Sequence, residues 1–231
     1  DDDVAGFTIV ELDGATEVDE SGTTDTFTVV LDAQPSDNVV IAMSSSDIGE
    51  ATISGTISFT PANWDTPQTV TVTGVDENTI DGDQTSTITI TIVDSISDSD
   101  FSNVADQTVS VVTTDDDVAG FTIVELDGAT EVDESGTTDT FTVVLDAQPT
   151  SDVVLTITSD DTGEATVNSP LTFTPANWDT PQTVTVTGAD DSIIDGTVTS
   201  SITVAVVAIT SDDNFDAVAD QTVSVSTTDD D

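Results

Sequence analysis

Lysine, arginine, histidine, cysteine and tyrosine are all missing from this chain of 231 residues, while Asp and Glu number 47, so the formal net charge is −47. Each absence excludes some chemistry. Without His or Cys there is no nucleophilic triad or dyad with an imidazole base and no ordinary zinc site. Without Lys there is no phosphate-binding P-loop, no Schiff base and no Lys–Asn isopeptide crosslink. Without Cys there is no disulfide, so any staple is metal or packing. A surface of one sign repels nucleic acid and anionic membranes. No apolar run approaches the roughly 18 residues of a membrane helix, which argues against membrane insertion. A carboxylate pair of the glycosidase kind is the catalytic chemistry that remains open.

What is present is a repeat. Asp1-Asp2-Asp3-Val4-Ala5-Gly6-Phe7 recurs as Asp115-Asp116-Asp117-Val118-Ala119-Gly120-Phe121, Trp64 as Trp178 and Phe101 as Phe215, always 114 residues apart. A third Asp triplet, Asp229-Asp230-Asp231, stands where a third copy would begin. The expected domains are therefore 1–114 and 115–231, with 229–231 opening the next boundary. The start lacks an initiator Met and a signal-peptide pattern, which reads as a piece of a longer protein. High charge is also a mark of disorder. Here, however, 35% of residues are hydrophobic, and Val, Ile, Leu and Phe recur at regular spacing, so the chain is expected to fold when a cation is present.

Seven runs in each copy read as strands. They are Phe7 to Glu11, Thr26 to Leu31, Val39 to Met43, Ala51 to Phe59, Thr69 to Thr73, Thr87 to Ile92 and Thr108 to Val111. Thr alternates with Val or Ile, the period-two signature of a half-buried strand, and both residue types are β-branched. Turn signals such as Gln34-Pro35 and Thr60-Pro61 separate the runs. The expectation is an all-β protein: two tandem seven-stranded immunoglobulin-like β-sandwiches arranged as a rod.

Strand parity then locates the acids. If successive strands reverse direction, the loops after the first, third and fifth runs share one pole with the end of the seventh. Those segments carry Asp19-Glu20, Asp47 with Glu50, Asp76-Glu77 with Asp81 and Asp83, and Asp115-Asp116-Asp117. The second copy offers Asp133-Glu134, Asp160-Asp161 with Glu164, Asp190-Asp191 with Asp195, and Asp229 to Asp231. Carboxylates crowded in this way are unfavourable unless they share a cation, and no basic side chain exists to neutralise them. Ca2+, which takes six to eight oxygens in loose geometry, suits such a set better than Mg2+. The plainer reading is solvated loop charge, and for Asp13, Asp25 and Asp32 it is the preferred one.

The segments Val18-Asp19-Glu20-Ser21-Gly22, Phe59-Thr60-Pro61, Val70 to Glu77, Asp81-Gly82-Asp83 and Thr113 to Asp117 resemble the Calx-beta domain. The resemblance covers nearly the whole unit, twice, and implies a seven-stranded sandwich with Ca2+ at the pole reached by parity. It implies Glu20, Asp76, Glu77, Asp81, Asp83, Asp115 and Asp117 as ligands in the first copy, with Asp116 beside them and Glu50 preferred to Asp47. In the second copy it implies Glu134, Glu164, Asp190, Asp191, Asp195, Asp229 and Asp231. Two departures stand out. Pro61-Ala62-Asn63-Trp64 replaces the family's Pro-Gly-Glu, and Thr197 replaces the acid at Asp83, which is expected to weaken the second site.

Two readings stay open for Trp64 and Trp178, as sugar platforms or as plugs of the sandwich end, the plug being preferred. The segment Asp94 to Asp106, with Asp98, Asp100 and Phe101, is expected to add an interdomain ligand or a packing contact. For function, the expectation is a calcium-stabilised extender of an extracellular adhesin or surface fibre, whose partners are neighbouring repeats. The alternatives are a self-assembling subunit that meets like chains in a fibre, and a glycosidase, for which one Trp and no Tyr per unit offer little sugar platform.

Overall fold

The structure is a computed structural model that describes residues 4–12, 14–126 and 128–231. Its chain separates into two compact units, one of Asp1–Glu77 and Asp81–Asp116, the other of Asn78–Ile80 and Asp117–Asp231.

In the first unit the strands are β1 (Phe7–Glu11), β2 (Thr16–Asp19), β3 (Thr24–Leu31), β4 (Val39–Ser45), β5 (Ala51–Ile53), β6 (Ile57–Phe59), β7 (Gln68–Gly74), β8 (Gln84–Ile92) and β9 (Gln107–Thr114). One sheet has the order β1-β3-β7-β5 and the other β2-β9-β8-β4-β6. Two facing sheets in this order are the layout of an immunoglobulin-type sandwich. The second unit repeats it with β10 (Phe121–Glu125), β11 (Thr130–Asp133), β12 (Thr138–Leu145), β13 (Val153–Ser159), β14 (Ala165–Val167), β15 (Leu171–Phe173), β16 (Gln182–Gly188), β17 (Val198–Val206) and β18 (Gln221–Thr228).

The alternation read from sequence is what builds the core. Phe27, Val29 and Leu31 of β3 face Ile88, Ile90 and Ile92 of β8 across the sandwich interior, all buried. Thr28, Thr89 and Thr91 between them alternate to the opposite face of their strands and are half-buried.

Seven expected runs appear as nine segments because one run changes sheet and one strand, β2, lies outside every expected run. The first run is β1, and the chain leaves its sheet after Glu11. Gly14, in the left-handed region at φ +89°, turns the chain onto the other sheet, where β2 runs parallel to β9. A single buried apolar residue, Val18, marks β2, and its partner strand lies almost the whole unit away in sequence. The run from Ala51 to Phe59 breaks at Ser54 to Thr56, so that β5 pairs with β7 while β6 pairs with β4. Neither sheet change reverses the chain, so the parity argument for the acidic pole is unaffected.

The far end of each unit is closed by a carboxylate lock. Asp98 accepts hydrogen bonds from the Asp100 amide (3.0 Å), the Ser36 amide (2.6 Å), the Ser36 hydroxyl (2.8 Å) and the Asp37 amide (2.9 Å). Those bonds, the Asp100 amide first, hold its pKa down at about 2. Asp212 does the same with Thr150, Ser151 and Asn214; burial works against ionisation there, and the hydrogen bonds outweigh it, so the pKa is lowered. Phe101 and Phe215, which follow these locks, are core residues, and Trp64 and Trp178 pack half-buried against the two cores. Within the Asp94 to Asp106 segment, expected to add an interdomain ligand or a packing contact, the Asp98 oxygens are taken by its own unit's loops.

Asp98→Ala is therefore expected to destabilise the first unit by roughly 1.5–3 kcal/mol, the worth of hydrogen bonds to a charged group. Chemical denaturation near neutral pH measures it, and an unchanged midpoint would refute the lock. Because the folded pKa lies below the unfolded value of 3.8, the contribution is present above that pH and disappears as pH falls through about 2.

Candidate metal centre

Glu20 is fixed by a tight turn that follows β2. The Asp19 amide donates to Thr23 Oγ1 (2.7 Å), the Ser21 amide to Asp19 Oδ1 (2.9 Å), and the Gly22 amide to the Asp19 carbonyl (3.1 Å). The Glu20 amide donates to the carbonyl of Thr114 at the end of β9 (3.1 Å). On the other side the turn abuts Gly74, where a Cβ would come within 2.1 Å of the Asp19 carbonyl oxygen. Gly188 repeats this close approach to Asp133. The Glu20 backbone is thus held between β7 and β9, and its side chain has nowhere to go but inward. Glu50 is tied in by its carbonyl, which accepts from the Val75 amide (2.9 Å).

The result is a cluster of acids gathered about one buried glutamate in each unit. Glu20 is 0% exposed and Glu134 1%. Carboxylate oxygens of Glu20, Glu77 and Asp81 lie within 4.8 Å of one another, and one from Asp115 lies equally close to Glu20. In the second unit Glu134 belongs to two such groups, one with Glu164 and Asp195 and one with Asp191 and Asp231. Both carboxylate oxygens of Glu20, and one each of Glu50, Glu77, Glu134 and Glu164, are buried without a hydrogen-bond partner.

The expected ligands divide accordingly. Asp76, Asp190 and Asp116 are exposed and stand outside the groups. Asp83 is also outside; it accepts from the Asp115 amide at 3.4 Å. Thr197, its counterpart, therefore takes no oxygen from the second cluster. Asp115 and Asp229 each accept from a glycine amide at 2.7 Å, Gly82 and Gly196, both with positive φ, which fastens the triplet to the β7–β8 and β16–β17 loops. Asp117 falls in the second unit; its counterpart 114 residues on is the clustered Asp231. Asp47, exposed, caps its own turn at the Gly49 amide (2.9 Å). Asp25 and Asp32, read as solvated charge, accept from Glu17 and Thr26 and from Thr8 respectively, and so pin strand ends. Asp13 lies outside the described residues.

No protein-family model matches this chain, and no curated protein matches it. Among solved structures it is similar to the calcium-binding domain CBD12 of CALX1.1, at 16% identity over 86% of this chain and 80% of that one, with a TM-score of 0.36. It is also similar to the apo-form Calx CBD1 domain, at 18% identity over 48% of this chain and 98% of that one, TM-score 0.35. A third neighbour is the surface layer protein SbsC, domains 1–6, at 14% identity over 97% of this chain and 28% of that one, TM-score 0.40. These scores are low, and the assignment of the site is drawn from its own carboxylates.

Those carboxylates fit a hard cation. Two oxygens bound to one ion at about 2.4 Å can be no more than about 4.8 Å apart, so each group can share an ion. The donors are oxygen alone, which suits Ca2+ or Mg2+ and not the softer transition metals. The unpartnered buried oxygens supply the electrostatic motive. Burial, then repulsion from Asp115, Glu50, Glu77 and Asp81, pushes Glu20 up to about 7. Burial, then Asp229, Asp191, Glu164 and Asp195, does the same to Glu134. Glu50 and Glu164 are raised as well, burial first.

The pH dependence follows. With chelator present, the folded state holds protons on Glu20 and Glu134 that the unfolded chain, with a pKa near 4.5, has released. Their contribution is complete below that value and lost as pH rises through about 7. The melting temperature in chelator is expected to fall between about pH 5 and pH 8. A flat or rising profile would show that these glutamates are not buried as described.

Proposed function

We propose that each sandwich is a Ca2+-stabilised structural repeat of an extracellular or surface protein. The supporting observation is Glu20, a fully buried carboxylate with both oxygens unpartnered, set against further acids in a chain that has no basic side chain. Glu20, Glu50, Glu77, Asp81 and Asp115 would hold the ion of the first unit. Glu134, shared by two groups, would bridge two ions in the second, with Glu164 and Asp195 on one side and Asp191 and Asp231 on the other. Extracellular Ca2+ modules bind with Kd of roughly 10⁻⁴–10⁻³ M, which suits a chain that stays loose where Ca2+ is scarce and folds after export. Within its parent the repeat would serve as a stiff extender. A glycosidase reading gains no support from the clusters, whose central glutamates, Glu20 and Glu134, are buried.

Melting in chelator and in millimolar Ca2+ tests the proposal. At a hundredfold excess over Kd, one site adds about 2.7 kcal/mol. Glu20→Gln separates the site from general screening, because it removes the buried charge as well as a ligand. The variant is expected to melt above the unsubstituted chain in chelator and below it in Ca2+. Equal melts with and without Ca2+, or a variant that responds to Ca2+ as the original does, would reject the proposal.

A further inference from the structure

In each unit one serine interrupts the apolar inward row beside the acidic pole. β8 buries Ser86, Ile88, Ile90 and Ile92 in alternation, and β17 buries Ser200, Ile202 and Val204. The copies differ further along, Val204 standing for Ile90, yet both keep serine next to the acidic loop. Each serine lies one step inside the attachment points of two cluster glutamates. Ser86 pairs with Val111 of β9. Beyond Val111 on the same strand, Thr113 Oγ1 donates to the Glu50 carbonyl (3.4 Å), and the Thr114 carbonyl accepts from the Glu20 amide (3.1 Å). In the second unit Ser200 pairs with Val225 of β18, Thr227 Oγ1 donates to the Glu164 carbonyl (3.4 Å), and the Thr228 carbonyl accepts from the Glu134 amide (3.0 Å). The hydroxyls of the buried threonines Thr16, Thr113, Thr130 and Thr227 all donate within their own unit. Those of Ser86, 1% exposed, and Ser200, 4% exposed, are buried without a partner, like the glutamate oxygens beside them.

We propose that Ser86 and Ser200 are further members of the two cation sites, each hydroxyl anchoring a buried water that ligates the ion from its inner side. The proposal rests on the cation reading above. If small volume were all that these positions required, alanine would serve, and it has no hydroxyl to strip of water; an unpartnered buried hydroxyl is a cost. Serine hydroxyls and glutamate oxygens are orphaned together and make no bond to one another, so the group that satisfies both lies between them. Water has the valence for it. Its oxygen accepts from the serine and binds the cation, and its two hydrogens donate to carboxylates, the full set of partners that holds a water in a protein interior. Such a ligand adds an oxygen to the coordination of a hard cation without adding to the negative charge of the cluster. The serines are thus positioning residues, which act on the ion through the water.

Calorimetric titration with Ca2+, together with melts in chelator, tests the proposal on the intact chain and on a variant carrying both Ser86→Ala and Ser200→Ala. In chelator the variant is expected to melt at or above the original chain, because two orphaned hydroxyls are gone. Its Ca2+ affinity is expected to fall about fivefold per site, the worth of one neutral hydrogen bond. A serine that merely supported its strand would show the opposite split, a lower melt in chelator with affinity unchanged, and that result would overturn the proposal. Equal affinities in a chain that does bind Ca2+ overturn it while leaving the cation reading intact; an original chain that takes up no Ca2+ overturns both.

Discussion

Negative charge taken out of water, with no positive side chain anywhere to meet it, is the constraint around which each unit is arranged. A carboxylate can be buried if it is protonated, if it accepts enough hydrogen bonds, or if it binds a cation. The protein uses two of these in plain view. Asp98 and Asp212 are satisfied by amides and hydroxyls and stay ionised, with lowered pKa values. Both oxygens of Glu20 and one of Glu134 are buried without such a donor, and their pKa values rise to about 7. The same residue class therefore closes one end of the sandwich permanently and leaves the other end dependent on what solution provides. Near neutral pH, protons are a poor supply for that end and a divalent cation a good one.

That asymmetry is built from backbone detail. The end with Asp98 is finished by the chain's own hydrogen bonds and by Phe101 and Trp64 packed on the core. The acidic end is held by glycines that permit close approach or positive φ: Gly74 beneath the Asp19–Glu20 turn, and Gly82 beside Asp115. These contacts aim glutamates inward and leave their oxygens facing one another. A scaffold that fixes ligands before the ion arrives avoids much of the ordering cost of binding.

Much of this was legible in the sequence because its physical basis is local. Alternation of Thr with Val or Ile gave the strands, since side chains on a strand point to opposite faces. Antiparallel order gave the shared pole, since it depends only on the parity of reversals, and the sheet changes at Gly14 and at Ser54 to Thr56 are not reversals. What was not legible depends on partners far away in the chain. β2 is short, with one buried apolar residue, and its existence rests on parallel pairing with β9. The lock at Asp98 needs Ser36 and Asp37, some sixty residues away, although the local Asp98-Ser99-Asp100 turn was a signal that its carboxylate caps an amide. Asp76, Asp83 and Asp116 match the resemblance by position, yet their side chains lie outside the clustered oxygens, which residue spacing alone does not reveal.

The most direct measurement is a crystal structure grown with Ca2+, with anomalous differences used to place the ions. The account predicts peaks about 2.3–2.6 Å from the carboxylate oxygens of Glu20 and Glu134, two of them flanking Glu134 on the sides of Glu164 and of Asp231. Density at these poles that shows only water, with Glu20 and Glu134 hydrogen-bonded as neutral acids in millimolar Ca2+, would contradict it.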